Sequence, residues 1–399
     1  MVAFKMPFCY NKPKLYKGWD YMNFEGLKKY IDALPAVYDV KSCDLSVRYK
    51  HKEVFRHSIG FSDLDCTKPT APTDLQWVYS MTKVITTTAV MRLIMRGELQ
   101  MNDKVSKYLP EYENLTVKSA DGIKPATKPL LIWHLFAMRS GMNYNLSTPS
   151  IKEALANEKL STRELVAAMA KEPLGFEPGD GYCYSLSHDV LAAVAEVVSG
   201  KSYYEFLCDE LFIPLGMKDT GFKPTDEQKN RFTTMWLFDP KRLVCNPMEC
   251  KCVYNLSPEY ESGGAGLFTT LDDYMKVIDA LANGGIAENG YEVLSKEGIA
   301  KLTEVTSKDD EILGGGKHAY KYGHGVRVMV KPDFPGEESL SPVGEFGWDG
   351  AAAAYNLIDP INNIAIVFMT QTHGFGRSYV EIQPQIRNRV YMSLGLDKK

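Results

Sequence analysis

The sequence predicts a mixed α/β (α+β) fold in which both ends of the chain build one domain and the middle forms a helical insert. Near the N-terminus, apolar and polar residues alternate with period two, which is typical of half-buried strands. Between about residues 110 and 250 this alternation is lost and the apolar spacing becomes helical. Strand character then returns in three segments, which are 323–330, 352–358 and 364–370.

Each predicted element rests on a local pattern. An amphipathic stretch predicts a helix over 24–34, and alternation on both sides of His51-Lys52 predicts a hairpin of 44–49 and 53–60. Helical spacing of apolar residues predicts a long helix over 84–99. A capping box, a closing glycine and apolar spacing predict three later helices, which cover 161–171, 187–199 and 379–394.

These patterns divide the chain into two units. A mixed α/β domain is expected to combine residues 1–110 and 255–399, and a helical domain is expected to cover 111–254. The length of 399 residues agrees with two units, because single cores stop growing at about 250–300 residues. Ligands often bind between domains, so we expect the active site in the cleft between the two.

Composition and charge argue against several classes of protein. The net charge is −4, which gives no basic surface for a nucleic-acid partner. No segment approaches the roughly 18 apolar residues of a membrane span, so no membrane partner is expected. Lys5 and Pro7 interrupt the N-terminus before the apolar core of a signal peptide could form, so we expect a cytoplasmic location. The oligomeric state cannot be predicted from this sequence.

The sequence also contains no motif that requires a metal or a cofactor. Its eight cysteines lack the spacing of a disulfide framework, and the Cys245, Cys250 and Cys252 cluster lacks zinc-ribbon spacing. There is no His-Glu-x-x-His pair, no Gly-x-Ser-x-Gly elbow and no phosphate-binding Gly-x-x-x-x-Gly-Lys loop. We therefore expect no metal and no cofactor.

Ser80 and Lys83 are the strongest candidates for catalysis. Ser80 is the only serine with a lysine three residues downstream, and the helical pattern that follows predicts that it lies in the first turn of a helix. Residues i and i+3 share a helix face, so the Lys83 amine can reach the Ser80 hydroxyl. A partly buried lysine can activate a serine as a nucleophile. The alternative is a serine N-cap followed by a solvated lysine.

Tyr184 is a third candidate catalytic residue. A Pro-Gly turn within 177–187 presents it directly before a predicted helix. A lysine ammonium nearby would favour the phenolate, so we expect a lowered pKa for Tyr184. The alternative is an ordinary core tyrosine. Whether Lys83 or Tyr184 is the general base stays open, because coupled groups titrate as a unit.

The segment 345–351 is the candidate for substrate contacts. Glycines at 347 and 350 would let a substrate approach the backbone, so Trp348, Asp349 and Gly350 are expected to bind it. An edge strand here would let the N–H groups of Ser80 and Ala351 form an oxyanion hole. The alternative is a β-bulge with a buried tryptophan.

These three segments resemble a known superfamily. Ser80-x-x-Lys83, Tyr184-Ser185-Leu186 and Trp348-Asp349-Gly350 are similar, in order and spacing, to the three motifs of the serine β-lactamase/penicillin-binding-protein-like hydrolases. The resemblance extends over about residues 25–395. It implies a β-lactamase-like antiparallel sheet flanked by helices, with an inserted all-helical domain. It also implies catalysis by Ser80, Lys83 and Tyr184.

Two departures from the superfamily pattern favour esters as substrates. Leu186 stands where the family usually has asparagine, and Trp348 stands where penicillin-recognising members usually have Lys or His. In those members the cation helps to hold the carboxylate of the substrate, and losing it costs about 2 kcal/mol or more in binding. An indole instead provides an apolar surface that suits the acyl or alcohol group of an ester. The pattern Tyr-Ser-Leu-Ser-x-Asp-Val-Leu over 184–191, together with Trp-x-Gly at 348–350, resembles most closely the family VIII carboxylesterases and related acyltransferases. It predicts an acyl-enzyme on Ser80 and a small-molecule ester or amide as substrate.

Three other functions stay open at this point. They are a β-lactamase or D-alanyl-D-alanine carboxypeptidase, an acyltransferase, and a non-catalytic scaffold of the same fold. No motif identifies the substrate. We expect substrate specificity to be determined by three loops, which are 143–150, 238–260 and 307–317.

Overall fold

The protein is described by a computed structural model that covers residues 22–156, 159–308, 311 and 318–397. Within these ranges the strands are, in chain order, β1 (Ser42–Tyr49), β2 (Lys52–Gly60), β3 (Gln76–Trp77), β4 (Thr116–Ser119), β5 (Gly122–Pro125), β6 (Met235–Asp239), β7 (Val244–Met248), β8 (Phe268–Thr269), β9 (Tyr320–Tyr322), β10 (Arg327–Met329), β11 (Phe346–Gly347), β12 (Tyr355–Asp359), β13 (Ile364–Met369) and β14 (Thr372–His373).

The helices in the same ranges are α1 (Glu25–Asp32), α2 (Leu34–Tyr38), α3 (Thr82–Met95), α4 (Ile132–Phe136), α5 (Pro149–Ala154), α6 (Thr162–Met169), α7 (Ser187–Ser199), α8 (Tyr203–Leu207), α9 (Ile213–Leu215), α10 (Asp226–Lys229), α11 (Leu271–Ala282), α12 (Lys296–Thr303) and α13 (Gln383–Ser393). Short 3₁₀ turns cover Tyr79–Met81, Val105–Lys107 and Pro110–Tyr112. Two π-helical turns cover Cys208–Phe212 and Ser378–Ile382.

A seven-stranded antiparallel sheet is the centre of the fold. Its strand order is β2-β1-β13-β12-β11-β10-β9, so the first hairpin pairs directly with a strand from the far end of the chain. Along β13 the side chains alternate between the two faces. Ile366 and Phe368 pack with Ile386 of α13, whereas Val367 and Met369 join the larger core. Helices α1 and α13 thus cover one face, and α11 covers the other.

The middle of the chain packs around α7. This helix contacts α3, α4, α6 and α8, and its first nine residues are buried. Because α3 contacts α7 and follows the Ser80 turn, it links the helical region to Ser80. Among the described residues, no helix is long and apolar enough to cross a lipid bilayer.

Most predicted elements are confirmed. The predicted hairpin is β1–β2, and its turn residues Lys50 and His51 have positive φ angles of 52° and 66°. The capping box of Ser161 and Glu164 opens α6. The helix predicted to close at Gly200 is α7, and Gly200 adopts the left-handed conformation that ends helices.

The segment 323–330 differs from its prediction as one strand. Only Arg327–Met329 is a strand there, because the chain turns at 323–326, where the Gly323 N–H donates to the Val326 carbonyl. Gly325 causes the break. Its φ is +94°, and a Cβ atom there would lie 2.2 Å from a methyl group of Thr87.

The segment 111–254 contains strands as well as helices. Strands β4 and β5 form a hairpin, and β6 and β7 form another that β14 extends in parallel. The first hairpin carried no sequence signal because β5 is exposed along its whole length and therefore shows no alternation. The mixed α/β class and the antiparallel sheet are confirmed, while the boundaries of the two domains stay a prediction.

Candidate active site

Ser80 lies on the 3₁₀ turn that leads into α3. The preceding residue, Tyr79, is fully buried and has a φ of 46°, a conformation that is an outlier for a bulky residue. Its hydroxyl donates to the Lys251 carbonyl at 3.4 Å, and its ring meets that of His373 edge-on at 4.7 Å. Packing therefore holds the strained backbone that presents Ser80, as expected at functional sites.

Lys83 is buried directly beneath Ser80. Its Nζ lies 3.3 Å from Ser80 Oγ and donates to the Gly264 carbonyl at 2.6 Å. Burial lowers the pKa of Lys83 to about 7, although the Asp189 carboxylate acts in the opposite direction. A large fraction of Lys83 is therefore neutral near pH 7 and able to accept a proton.

Tyr184 approaches Ser80 from the helical region. Its hydroxyl donates to Ser80 Oγ at 2.7 Å and accepts a hydrogen bond from Trp348 Nε1 at 3.3 Å. The Lys83 Nζ lies 4.7 Å from the centroid of the Tyr184 ring. The hydroxyl is enclosed, and this burial raises the pKa of Tyr184, so the expectation of a lowered pKa is wrong. Desolvation outweighs the hydrogen bonds with Ser80 and Trp348, which act in the opposite direction.

Two further tyrosines, which belong to no sequence motif, lie beside Tyr184 and Lys83. Tyr144 stacks on Tyr184 with ring centroids 5.2 Å apart, and its hydroxyl lies 3.3 Å from Lys83 Nζ. Tyr254 meets the Tyr144 ring edge-on at 5.7 Å. Both lie in loops that were expected to carry specificity, at 143–150 and 238–260. The third such loop, 307–317, falls mostly outside the described residues, which resume at His318.

The segment 348–351 approaches Ser80 through backbone packing. The Trp348 ring stacks on Tyr184 with centroids 5.7 Å apart. Gly350 lies against Val78, which joins β3 to the Ser80 turn, because a Cβ there would be 2.4 Å from the Val78 carbonyl oxygen. This close approach explains why residue 350 is glycine, and it brings the half-buried Ala351 towards the Ser80 turn.

The Asp349 carboxylate is held by the protein itself. Arg327, which is 2% exposed, donates to Asp349 Oδ1 at 2.8 Å and to the Asn356 carbonyl at 2.8 Å. The Asn356 amide in turn donates to the Trp348 carbonyl at 2.8 Å. Arg327 therefore holds the side chain of Asp349, and Asn356 holds the backbone of Trp348.

Asp189 is a further buried carboxyl group behind Lys83, and burial raises its pKa. Its Oδ1 accepts hydrogen bonds from Tyr260 and Ser262, both at 2.6 Å. It thereby anchors the segment whose Gly264 carbonyl binds Lys83. The sequence pattern contained Asp189 without assigning it a role, because its distance from Lys83 depends on the tertiary fold. Within the described ranges, no group of three or more His, Cys, Asp or Glu side chains is arranged to hold a metal ion.

Comparison with known proteins identifies the family of this site. The family model described as Beta-lactamase matches residues 27–390. The chain belongs to the beta-lactamase family. This confirms the predicted superfamily and the predicted fold class.

Relatives within the beta-lactamase family include esterases. Esterase EstB of Burkholderia gladioli is 27% identical over 354 residues, which is 82% of this chain and 86% of that protein. The solved structure of EstCE1, described as a hydrolase with promiscuous acyltransferase activity, has a TM-score of 0.77 at 22% identity. It covers 92% of this chain and 97% of its own.

A second solved structure supports the same fold. A family VIII carboxylesterase matches with a TM-score of 0.70 at 18% identity and covers 92% of this chain and 96% of its own. The prediction of a serine hydrolase of the beta-lactamase family is confirmed.

Proposed function

We propose that this protein hydrolyses small carboxylic esters through an acyl-enzyme on Ser80. The observation that carries the proposal is the placement of Ser80 Oγ between two proton-handling groups. The hydroxyl of Tyr184 lies at 2.7 Å and the amine of Lys83 at 3.3 Å. An esterase among the relatives supports the choice of substrate.

Lys83 is the general base of the proposed first step. Its pKa of about 7 suits proton abstraction near neutral pH, whereas the raised pKa of Tyr184 makes a resting phenolate unfavourable. Ser80 Oγ attacks the ester carbonyl and passes its proton to Lys83. The carbon–oxygen bond to the alcohol then breaks, and the alcohol takes the proton back from Lys83 by way of the Tyr184 hydroxyl. Water then attacks the acyl-enzyme with the same two residues handling its proton, which releases the carboxylic acid and restores Ser80.

The oxyanion of each tetrahedral intermediate is bound by backbone N–H groups. We assign this role to Ser80 at the start of a helical turn and to Ala351 behind Gly350. The Trp348 ring lines the acyl or alcohol pocket and donates to Tyr184. Asp349 and Gly350 support the loop through Arg327 and the Val78 backbone, so their part in substrate binding is indirect.

Esters are favoured over β-lactams because Trp348 occupies the position of a cation. An indole N–H offers one neutral donor, which compensates a desolvated carboxylate poorly. The test compares the hydrolysis of short-chain p-nitrophenyl esters with that of a chromogenic cephalosporin. The expected result is ester turnover that is lost in Ser80→Ala, with the acyl mass found only on the wild type. Dominant cephalosporin turnover would instead identify a β-lactamase.

Acyl transfer is the second candidate for the same intermediate. The likeness to EstCE1, a hydrolase with promiscuous acyltransferase activity, favours testing it. Added alcohols or amines would appear in the products if they compete with water for the acyl group on Ser80. If a fluorophosphonate failed to label Ser80 while labelling a control esterase, the protein would be a non-catalytic scaffold.

We also propose a cytoplasmic location. The seven cysteines within the described ranges are free thiols, as is usual in a reducing compartment. The N-terminal residues that suggested this location lie outside those ranges. Fractionation of cells that express the untagged chain would test it, and recovery with secreted proteins would contradict it.

A further inference from the structure

Tyr379 contacts the backbone beside the proposed oxyanion donor. It lies on the π-helical turn Ser378–Ile382 that precedes α13. Its hydroxyl donates to the Gly350 carbonyl oxygen at 2.7 Å. The Ala353 N–H donates to the same oxygen at 3.0 Å, so two donors fix the direction of this carbonyl.

The direction of the Gly350 carbonyl determines that of the Ala351 N–H. Both groups belong to one planar trans peptide unit, in which the C=O and N–H bonds point in opposite directions. The carbonyl points to Tyr379, so the Ala351 N–H points away from it. A rotation of this peptide unit would turn the donor away from a substrate bound at Ser80.

Ser378 of this turn and Gln383 at the start of α13 support the same loop. Ser378 Oγ and Gln383 Nε2 lie 3.4 Å and 3.5 Å from the Ala353 carbonyl oxygen. Ala353 itself has a φ of 65°, so the loop holds a conformation that an isolated alanine avoids. Burial raises the pKa of Tyr379, which keeps its hydroxyl protonated and able to donate.

We infer that Tyr379 is a positioning residue that aims the Ala351 N–H at the oxyanion of the reaction. This role rests on the proposed ester hydrolysis at Ser80. Tyr379 acts through the Gly350–Ala351 peptide unit. Its effect is therefore expected on the transition state, where the oxyanion carries its charge, and far less on the bound substrate.

The variant Tyr379→Phe tests this inference because it removes the hydroxyl and keeps the ring. We expect kcat for a p-nitrophenyl ester to fall about five- to tenfold, which corresponds to one lost neutral hydrogen bond, with KM within about twofold. The affinity of a boronic acid, which forms a tetrahedral adduct on Ser80, should fall by a similar factor. The pH midpoint of kcat/KM should stay unchanged, since Lys83 is untouched.

Tyr38→Phe is the matched control. Tyr38 lines the same cavity of about 650 Å³ as Tyr379, and its hydroxyl donates to Glu381 on the same π-helical turn at 3.0 Å. It does not bond the loop at Gly350, so Tyr38→Phe should keep full kcat. Thermal melting of both variants measures how far each perturbs the fold.

Three outcomes would overturn the inference. An unchanged kcat in Tyr379→Phe would show that the hydroxyl does not aim the donor. An equal loss in Tyr38→Phe would indicate a general effect on the turn, and a rise in KM alone would indicate direct contact with substrate. Ester hydrolysis that survived Ser80→Ala would instead overturn the proposed function, whatever the result for Tyr379→Phe.

Discussion

Replacing Asp189 by asparagine should shift the pH dependence of ester hydrolysis to lower pH. The Asp189 carboxylate favours the protonated form of Lys83 and thereby raises its pKa, while burial lowers it to about 7. Asparagine keeps the acceptor oxygen for Tyr260 and Ser262 but removes the charge. Lys83 should then lose its proton at a lower pH.

The size of this shift follows from the distance between the two charges. A Cβ atom built on Gly264 would lie 2.7 Å from Asp189 Oδ2 and 3.5 Å from Lys83 Nζ. The two atoms are therefore no further apart than the sum of these distances, about 6 Å. At an effective dielectric constant of about 20, this separation gives about 3 kcal/mol, or about two pH units.

The assay is the pH profile of kcat/KM for a neutral ester, because its acid limb reports the pKa of the base in the free enzyme. The wild type should show a midpoint near 7. Asp189→Asn should move this midpoint down by about one to two units. Asp273→Asn is the control, since Asp273 on α11 is another buried carboxylate, which binds Lys276 of the same helix and accepts a hydrogen bond from Thr220.

An unchanged midpoint in Asp189→Asn would refute this reasoning. It would mean that Asp189 is neutral in the working enzyme or that Lys83 is not the base. A shift of the same size in Asp273→Asn would mean that the profile reports overall charge and not the pair of Asp189 and Lys83.

Three further variants test other parts of the site. Lys83→Met should abolish turnover yet stabilise the fold by about 1–3 kcal/mol at pH 7 in chemical denaturation, a gain that shrinks towards pH 10. The fold gains stability because the pKa of Lys83 falls from 10.5 to about 7 on folding, so the free energy of unfolding of the wild type rises with pH between these values. Equal stability of the two proteins at pH 7 would contradict this prediction. Gly350→Ala places a Cβ 2.4 Å from the Val78 oxygen and should lower kcat about 100-fold or more, whereas Gly376→Ala, with open space around it, should not. Trp348→Lys should lower ester turnover, through loss of the bond to Tyr184, and raise cephalosporin turnover measured in the same plate; no gain in the latter would mean that this position does not set specificity.

Residues close together in sequence were the predictable part of the site. Ser80 and Lys83 share one helix turn, so their contact follows from helix geometry alone. Their meeting with Tyr184 and Trp348 could be predicted only from three motifs in order, because those contacts join distant elements. Tyr144 gave no signal, since a loop tyrosine has no periodicity that distinguishes a functional position from a structural one.

The burial of individual side chains, and its effect on their pKa values, could not be predicted from the sequence. The expected lowering of the pKa of Tyr184 considered the charge of Lys83 but not the desolvation of both groups, which reverses the direction. The strands of the fold show the same limit. β1, β2 and β13 are half-buried or fully buried and left clear patterns, whereas the exposed β5 left none.

The pairing of β1 with β13 has a consequence for the folding of the enzyme. Leu45 lies opposite Phe368, so a central ladder of the sheet joins segments more than 300 residues apart. During synthesis Ser80 emerges long before Ala351 and Tyr379. Sheets with such distant pairings fold slowly, and the β1–β2 hairpin meanwhile exposes an unpaired edge. Refolding from denaturant should therefore regain helical signal well before it regains ester hydrolysis.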